Sequence, residues 1–188
     1  MTKFTALLLV LVMALSLAAC NTTTKTPETT EAANGPASAL EVMENIWALY
    51  TDDNKFFAMG GDYENPVDNA PGAVNMAVTD YLTYSLLIPE AELAGVTEAA
   101  SLMHAMNANT FTCGTYKVAD VAAFAAAMET AVMGNQWMCG FPETLIIASF
   151  GGNYVLVAFG INDAINPFLT NLQTAYPAAE LLVNKPIA

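Results

Sequence analysis

The side chains best able to do chemistry in this sequence carry soft donor atoms and cluster in its second half. They are Met103, His104, Met106, Cys113, Met138 and Cys139. Imidazole, thioether and thiolate groups together are able to hold Cu(I). The same residue types also fill apolar cores, and with ten methionines in the chain a few are expected beside the single histidine without any metal. We therefore predict no metal site, and keep copper binding at Met103, His104 and Met106 as an alternative.

A second chemical alternative is a nucleophilic pair in which His104 activates the Cys139 thiol. Gln136, three residues before the cysteine, would then be a candidate oxyanion donor. A reactive thiolate forms where nearby positive charge lowers a pKa near 8.5, and this chain has five lysines and no arginine. The sequence also lacks the local signatures of papain-type enzymes. We therefore predict a non-enzymatic protein, with a thiol-dependent enzyme as the alternative.

Three cysteines occur in the chain, and two of them stand among apolar residues. Cys113 and Cys139 are expected to be buried for that reason, and a disulfide between them is left open. No Cys-x-x-Cys motif is present, so the sequence contains neither a thioredoxin-type motif nor zinc-ribbon spacing.

The third cysteine, Cys20, ends a secretory signal. Lys3 precedes an apolar run, and the small residues Ala18 and Ala19 come directly before the cysteine. The apolar stretch over 4–19 is shorter than the roughly 20 residues that a membrane-spanning helix needs. Leu17-Ala18-Ala19-Cys20 resembles the lipobox of bacterial lipoproteins. It predicts removal of residues 1–19, diacylation of Cys20, and a lipid-anchored protein on the extracytoplasmic face of the cell membrane.

The rest of the chain divides into a tether and one domain. Residues 20–37 are rich in threonine and lack large apolar side chains, so they are predicted to be a disordered tether. Residues 38–188 are long enough for a single globular domain with its own core.

Charge and motifs exclude several functions. The formal net charge of −13 and the absence of arginine argue against a nucleic-acid partner. No phosphate-binding glycine loop or other cofactor motif occurs, so no cofactor is predicted. Acidic and amide residues over 62–69 leave open whether this loop binds a cation. The partners expected are the membrane, through the lipid anchor, and an unknown extracellular ligand or envelope protein.

Hydrophobic periodicity predicts an α+β fold, built as two layers with a mostly antiparallel sheet. Helices are predicted over 39–51, 120–133 and about 162–176, strands over 110–118, 144–150 and 154–159, and loops over 52–72. The helix over 120–133 is nearly all apolar and is expected to be well buried. Residues 98–106 fit a helix or the first arm of a hairpin, and the run after Asp80 fits a strand or a short helix.

Two strings in the domain carry a resemblance to a protein family. Residues 103–112 and 135–143, with Asn153-Tyr154-Val155, are similar to small lipoproteins of Gram-positive anaerobes that are often labelled bacteriocin transport accessory protein. These are related to a lipoprotein domain family of unknown function. The resemblance implies a surface-anchored accessory protein and designates no catalytic residue.

Overall fold

The computed structural model describes residues 35–106 and 108–187, and in this part of the chain eight strands form one antiparallel sheet. The strands are β1 (Ala58–Gly61), β2 (Pro66–Asp68), β3 (Gly72–Val74), β4 (Val96–His104), β5 (Phe111–Val118), β6 (Thr144–Phe150), β7 (Tyr154–Gly160) and β8 (Glu180–Pro186). Their order is β2-β1-β4-β5-β7-β6-β8, and β3 pairs with β4 beside β1. The predicted α+β class with a mostly antiparallel sheet is confirmed.

Helices cover both faces of this sheet. α1 (Ala39–Trp47) and α3 (Asn162–Ala175) pack on one face, while α2 (Val121–Gly134) and a π-helical turn at Tyr81–Ser85 pack on the other. The domain therefore has three layers instead of the predicted two. The reason is visible in β7, where all seven residues are buried. A strand covered on both faces is apolar without alternation, unlike the strand of a two-layer sheet.

The helix N-termini form as their sequences indicate. Ser38 caps α1 by accepting a hydrogen bond from the backbone N–H of Glu41 at 3.0 Å, and the Glu41 carboxylate accepts one from Ala37. Asp120 caps α2 through the N–H of Ala123 at 3.0 Å. These caps position the helices that the periodicity predicted.

The two ambiguous segments are now assigned. Residues 98–104 belong to β4, which forms a hairpin with β5 and buries Ala99 to Leu102 between the two cores. The run after Asp80 forms the π-helical turn Tyr81–Ser85, with Leu86 as its C-cap.

Several short strands were missed. The segment 52–72 was predicted to be loops, yet it contains β1, β2 and the first residue of β3; the C-terminal strand β8 was also not predicted. β1, β2 and β3 have only three or four residues each and include glycine and proline, so their pairing depends on neighbouring strands and not on local propensity. β1 and β3 pair with β4, and β2 pairs with β1. β8 is an edge strand with mostly exposed side chains.

The expected deep burial of the helix over 120–133 is wrong. Only Phe124, Ala125, Met128 and Val132 of α2 are buried. Ala122, Ala123 and Ala126 are exposed, since alanine is small enough to face solvent at little cost. Hydrophobic composition alone therefore overestimated the burial of this helix.

The predicted signal 1–19, Cys20 and most of the tether 20–37 lie outside the described residues. The last residues of the predicted tether are described and pack on the domain. Gly35 packs so closely on the backbone of Gly151 that a Cβ there would overlap it. The structured region therefore starts before position 38.

Candidate functional site

A cleft of about 390 Å³ opens at one end of the sheet, beside the hairpin of β4 and β5. Three segments line it: the hairpin end over 103–112, the residues 135–140 that follow α2, and Tyr84 from the π-helical turn. The volume falls within the range of small-ligand pockets. This end of the sheet is the candidate functional site.

The cleft gathers most of the side chains that the sequence singled out. Met103, His104, Met106, Met138 and Cys139 all line it. β4 carries Met103 and His104, and the segment after α2 carries Met138 and Cys139. Only the packing of α2 on the sheet brings these two pairs of residues together. Cys113 is not part of the lining, because it lies in the core beneath α1 and α3.

The Nδ1 atom of His104 is engaged as a hydrogen-bond acceptor. It accepts a hydrogen bond from the backbone N–H of Met106 at 3.0 Å, so the proton of the neutral imidazole is on Nε2. Nε2 lies 3.4 Å from the side-chain amide of Asn109, and the ring stacks on Phe56 at 5.1 Å with an interplanar angle of 8°. Burial lowers the pKa of His104 below its usual value.

This tautomer opposes both alternative chemistries of His104, metal binding and general-base catalysis. A metal ligand coordinating through Nε2 carries its proton on Nδ1, and that proton would face the Met106 N–H. A general base needs an unprotonated nitrogen directed at the nucleophile. Among the described residues, no hydrogen bond joins His104 to Cys139, and no group of three or more histidine, cysteine or acidic side chains is placed to bind a metal.

The two described thiols have opposite environments. Cys113 is fully buried, as predicted, and burial raises its pKa. Cys139 is exposed, so the expectation of burial is wrong for this residue, because Met138 and Cys139 stand on an outward-facing segment after α2. Both are free cysteines, and the disulfide left open by the sequence is not formed.

We therefore expect the two thiols to differ strongly in reactivity. Iodoacetamide should alkylate Cys139 in the native protein, while Cys113 should react only when the domain unfolds, because alkylation requires access and thiolate. Peptide mapping by mass spectrometry distinguishes the two sites from Cys20. Equal rates at Cys113 and Cys139 would contradict this arrangement.

Aromatic and amide groups complete the lining. Trp137 packs on Phe159 with ring centroids 5.3 Å apart, and its buried indole N–H has no hydrogen-bond partner among the described residues. Asn135 and Gln136 add side-chain amides. The string over 135–143, which carries the family resemblance, was the sequence signal for this wall. Tyr84 was missed because the run after Asp80 indicated only a strand or a short helix.

No charged side chain is among the residues that line the cleft. The lysines of the described region contact other groups: Lys55 lies over the ring of Trp47, Lys117 lies over Tyr154, and Lys185 pairs with Glu129. The cleft therefore offers apolar, sulfur and neutral hydrogen-bonding groups, and no fixed charge with which to bind an anion.

The acidic loop has a structural role. Asp62 is buried, and its carboxylate accepts hydrogen bonds from the backbone N–H groups of Glu64, Asn65 and Asn75. Burial raises the pKa of Asp62, but these hydrogen bonds and one from the Asn65 side chain outweigh that effect and lower it. The buried carboxylate of the loop thus organises the turn after β1 and does not face solvent.

In the part of the chain that the structure describes, no helix has the length and apolar character to span a membrane. Comparison with models of known protein families, with curated proteins and with solved structures found no match. The function must therefore be argued from the cleft itself.

Proposed function

We propose that this protein is a lipid-anchored, extracytoplasmic binding module, and that the cleft beside the hairpin of β4 and β5 is its binding site. The observation that carries the proposal is the cleft, in which exposed Tyr84, Met106 and Met138 surround neutral polar groups. Small-ligand sites commonly combine apolar walls with a few hydrogen-bonding groups. The lipobox at Cys20 and the resemblance to small surface lipoproteins support the location and the accessory role.

The attachment of the tether supports this function. Gly35 packs on Gly151, and the carbonyl of Ala37 accepts a hydrogen bond from the Tyr154 hydroxyl at 3.2 Å. Tyr154 pairs with Lys117 at the far end of β5, whereas the first residues of β5 line the cleft. The eight residues of β5 span about 25 Å, since a strand rises about 3.3 Å per residue. Residues 35–37 thus join the domain at the end of the sheet opposite the cleft, which leaves the cleft free of the tether's attachment point.

The hydrogen bonding of His104 favours binding over catalysis. Its Nδ1 is engaged by a backbone N–H, and no lysine is among the lining residues. A cysteine nucleophile needs a base or positive charge nearby, and neither is provided for Cys139 by these groups.

A thiol-dependent enzyme or a Cu(I)-binding protein is the second candidate. The observation that favours it is the convergence of His104, Cys139 and three methionines on one cleft. If Cys139→Ser and His104→Ala each abolished function in the producing cell, with folding and surface level intact, this candidate would replace the binding module. Titration of Cu(I) against a competing chelator distinguishes the metal from the enzyme.

The binding proposal is testable with uncharged probes. We expect N-acetyl-leucinamide or N-acetylglucosamine to shift the methyl signals of Met106 and Met138 in ¹³C-methyl-methionine NMR of the full chain in neutral micelles. Met43 and Met128 are buried in the two cores and provide internal controls. Met138 is 85% exposed, so Met138→Ser should weaken binding without unfolding the domain. An absence of probe-induced shifts at Met106 and Met138 would contradict a binding cleft.

The anchor gives a separate prediction. Mass spectrometry of the membrane fraction should find an N-terminal peptide that begins at a diacylated Cys20, because the lipobox directs cleavage directly before the cysteine. Cys20→Ser should release the protein from the membrane fraction or leave it unprocessed, while Cys139→Ser should do neither. A Lys3-containing peptide as the main species in the wild-type protein would contradict lipidation.

A further inference from the structure

We infer that His104 is the positioning residue of the cleft, because its imidazole holds the end of the β4–β5 hairpin in the conformation that places Met106 in the wall. This inference rests on the proposed binding function. It adds the residue that shapes the binding site and the pH range in which the site stays intact. It depends on two independent observations, a hydrogen bond from the Met106 backbone and the aromatic packing behind the His104 ring.

The hydrogen bond lies where the pairing of the sheet stops. The N–H of Ala105 donates to the carbonyl of Phe57 at 2.8 Å, one residue beyond the end of β4. The next N–H, that of Met106, donates to Nδ1 of His104 at 3.0 Å, and the Met106 carbonyl accepts from the N–H of Asn109 at 3.0 Å. A side chain thus replaces the neighbouring strand as the acceptor at the end of the hairpin.

The His104 ring is fixed from behind by aromatic residues. It stacks on Phe56 with ring centroids 5.1 Å apart and an interplanar angle of 8°. Phe56 in turn contacts Trp47 and Phe111, each at 5.1 Å between ring centroids, and both of these rings are buried in one core cluster. Stacking of this kind restricts rotation of the imidazole, so Nδ1 stays directed at the Met106 N–H.

The position of Met106 depends on this support. Its side chain lines the cleft and is 53% exposed, so packing alone does not hold it in place. Met103 and His104 of β4 and Phe111 and Thr112 of β5 also line the cleft, and Met106 lies in the connection between these strands. If the bond to His104 is lost, the connection loses a restraint and the wall that it contributes is no longer defined.

The same bond makes the wall sensitive to pH. A neutral imidazole has one N–H and one acceptor nitrogen, whereas the imidazolium carries a proton on both nitrogens and accepts nothing. Protonation of His104 would therefore direct an N–H at the N–H of Met106 and break the bond. Burial lowers the pKa of His104, in agreement with a ring held in its neutral form.

The titratable groups around the ring come from several elements. β1, which pairs with β4 beside His104, carries none. The others are Tyr84 and Cys139 in the cleft, Tyr50 and Cys113 in the core behind Phe56, and Asp52, Asp53 and Lys55 in the segment before Phe56. Within the described residues, none of them forms an ion pair or a hydrogen bond with His104. The response to pH should therefore follow this one imidazole, since the chain has a single histidine.

The experiment follows the full chain in neutral micelles by NMR, with N-acetyl-leucinamide as the probe. The folded-state pKa of His104 is lowered, so the hydrogen bond is present above the unfolded value of about 6.5 and is lost as pH falls through the folded value. The Met106 amide signal should move with the titration of the His104 ring. The affinity of the probe, read from the Met138 methyl shift, should fall by about threefold or more across the same transition.

Matched variants separate positioning from simple loss of a side chain. His104→Asn places an amide oxygen near the position of Nδ1 and does not titrate, so it should bind the probe more tightly than His104→Phe at neutral pH and show no acid transition. His104→Phe keeps a ring against Phe56 but has no acceptor, so it should bind weakly at every pH. Leu181→Ser, on the edge strand β8, should keep the wild-type profile. Unchanged Met43 and Met128 methyl signals verify folding of every variant.

Three results would each overturn this inference: an acid transition that persisted in His104→Asn, a Met106 amide signal that did not follow the ring titration, or equal probe affinity of His104→Asn and His104→Phe at neutral pH. The proposed function would survive any of them if the probe still bound at the cleft. If the probe bound at no pH, the proposed function would fall, and the Met106 amide titration alone would decide the role of His104.

Discussion

Asp62→Ala is expected to destabilise the domain by about 3 kcal/mol or more. The substitution removes three hydrogen bonds from backbone N–H groups to a charged acceptor, and a hydrogen bond to a charged group contributes about 1.5–3 kcal/mol. The same carboxylate joins the turn between β1 and β2 to Asn75, directly after β3, so its loss should loosen this side of the sheet. Urea unfolding followed by circular dichroism measures the effect.

The contribution of Asp62 to the free energy of unfolding should decrease as the pH is lowered. Its folded-state pKa is lowered, so its stabilising effect is present above the unfolded pKa of about 3.9 and is lost as pH falls through the folded value. The difference in unfolding free energy between wild type and Asp62→Ala should therefore be constant near neutral pH and shrink below about pH 4. Asp68→Asn, at an exposed position on β2, is the control and should change stability by less than about 0.5 kcal/mol. A comparable loss in that control would contradict the special role of Asp62.

Gly60→Ala is expected to be as damaging, at about 3 kcal/mol. A Cβ at Gly60 would overlap backbone atoms of Ala70, Pro71 and Gly72. These are the first residue of β3 and the two residues before it. Overlap with main-chain atoms cannot be relieved by a rotamer change, so the strands must separate. Thermal unfolding of the variant should show a clearly lower midpoint than that of wild type.

The matched control is Gly134→Ala at the end of α2. A Cβ at Gly134 has no neighbour within 4 Å, and alanine is favoured over glycine in a helix by about 0.5–1 kcal/mol. This variant should therefore be as stable as wild type or slightly more stable. If Gly60→Ala behaved like Gly134→Ala, the close approach of β1 to the start of β3 would be wrong.

Local signals in the sequence were sufficient for the regular elements. The cap at Ser38, the β-branched run of β5 and the Gly151-Gly152-Asn153 turn act over a few neighbouring residues. The strand and the turn formed where they were predicted, and α1 starts as predicted but ends at Trp47, four residues before the predicted end. Met103 and His104 were also recognised from residue type alone. These features depend on near neighbours, so no tertiary information was needed.

Longer-range features could not be predicted in this way. Local patterning of β1 and β3 is too short to specify strands that pair only because β4 is present. The third layer depends on which face of the sheet each helix packs against. The exposed alanines of α2 show that hydrophobic composition does not predict which side chains of a helix are buried.

The sequence by itself determined the α+β class, the main helices and strands, and the residue types able to do chemistry, because these follow from periodicity, capping and side-chain identity. Only the tertiary structure decided that His104 and Cys139 line one cleft, that Cys113 lies outside it, and that Met106 sets the tautomer of His104. The physical reason is that a cleft is formed by segments distant in the chain. Their positions result from the packing of α2 and the π-helical turn on one face of the sheet, which no local pattern encodes.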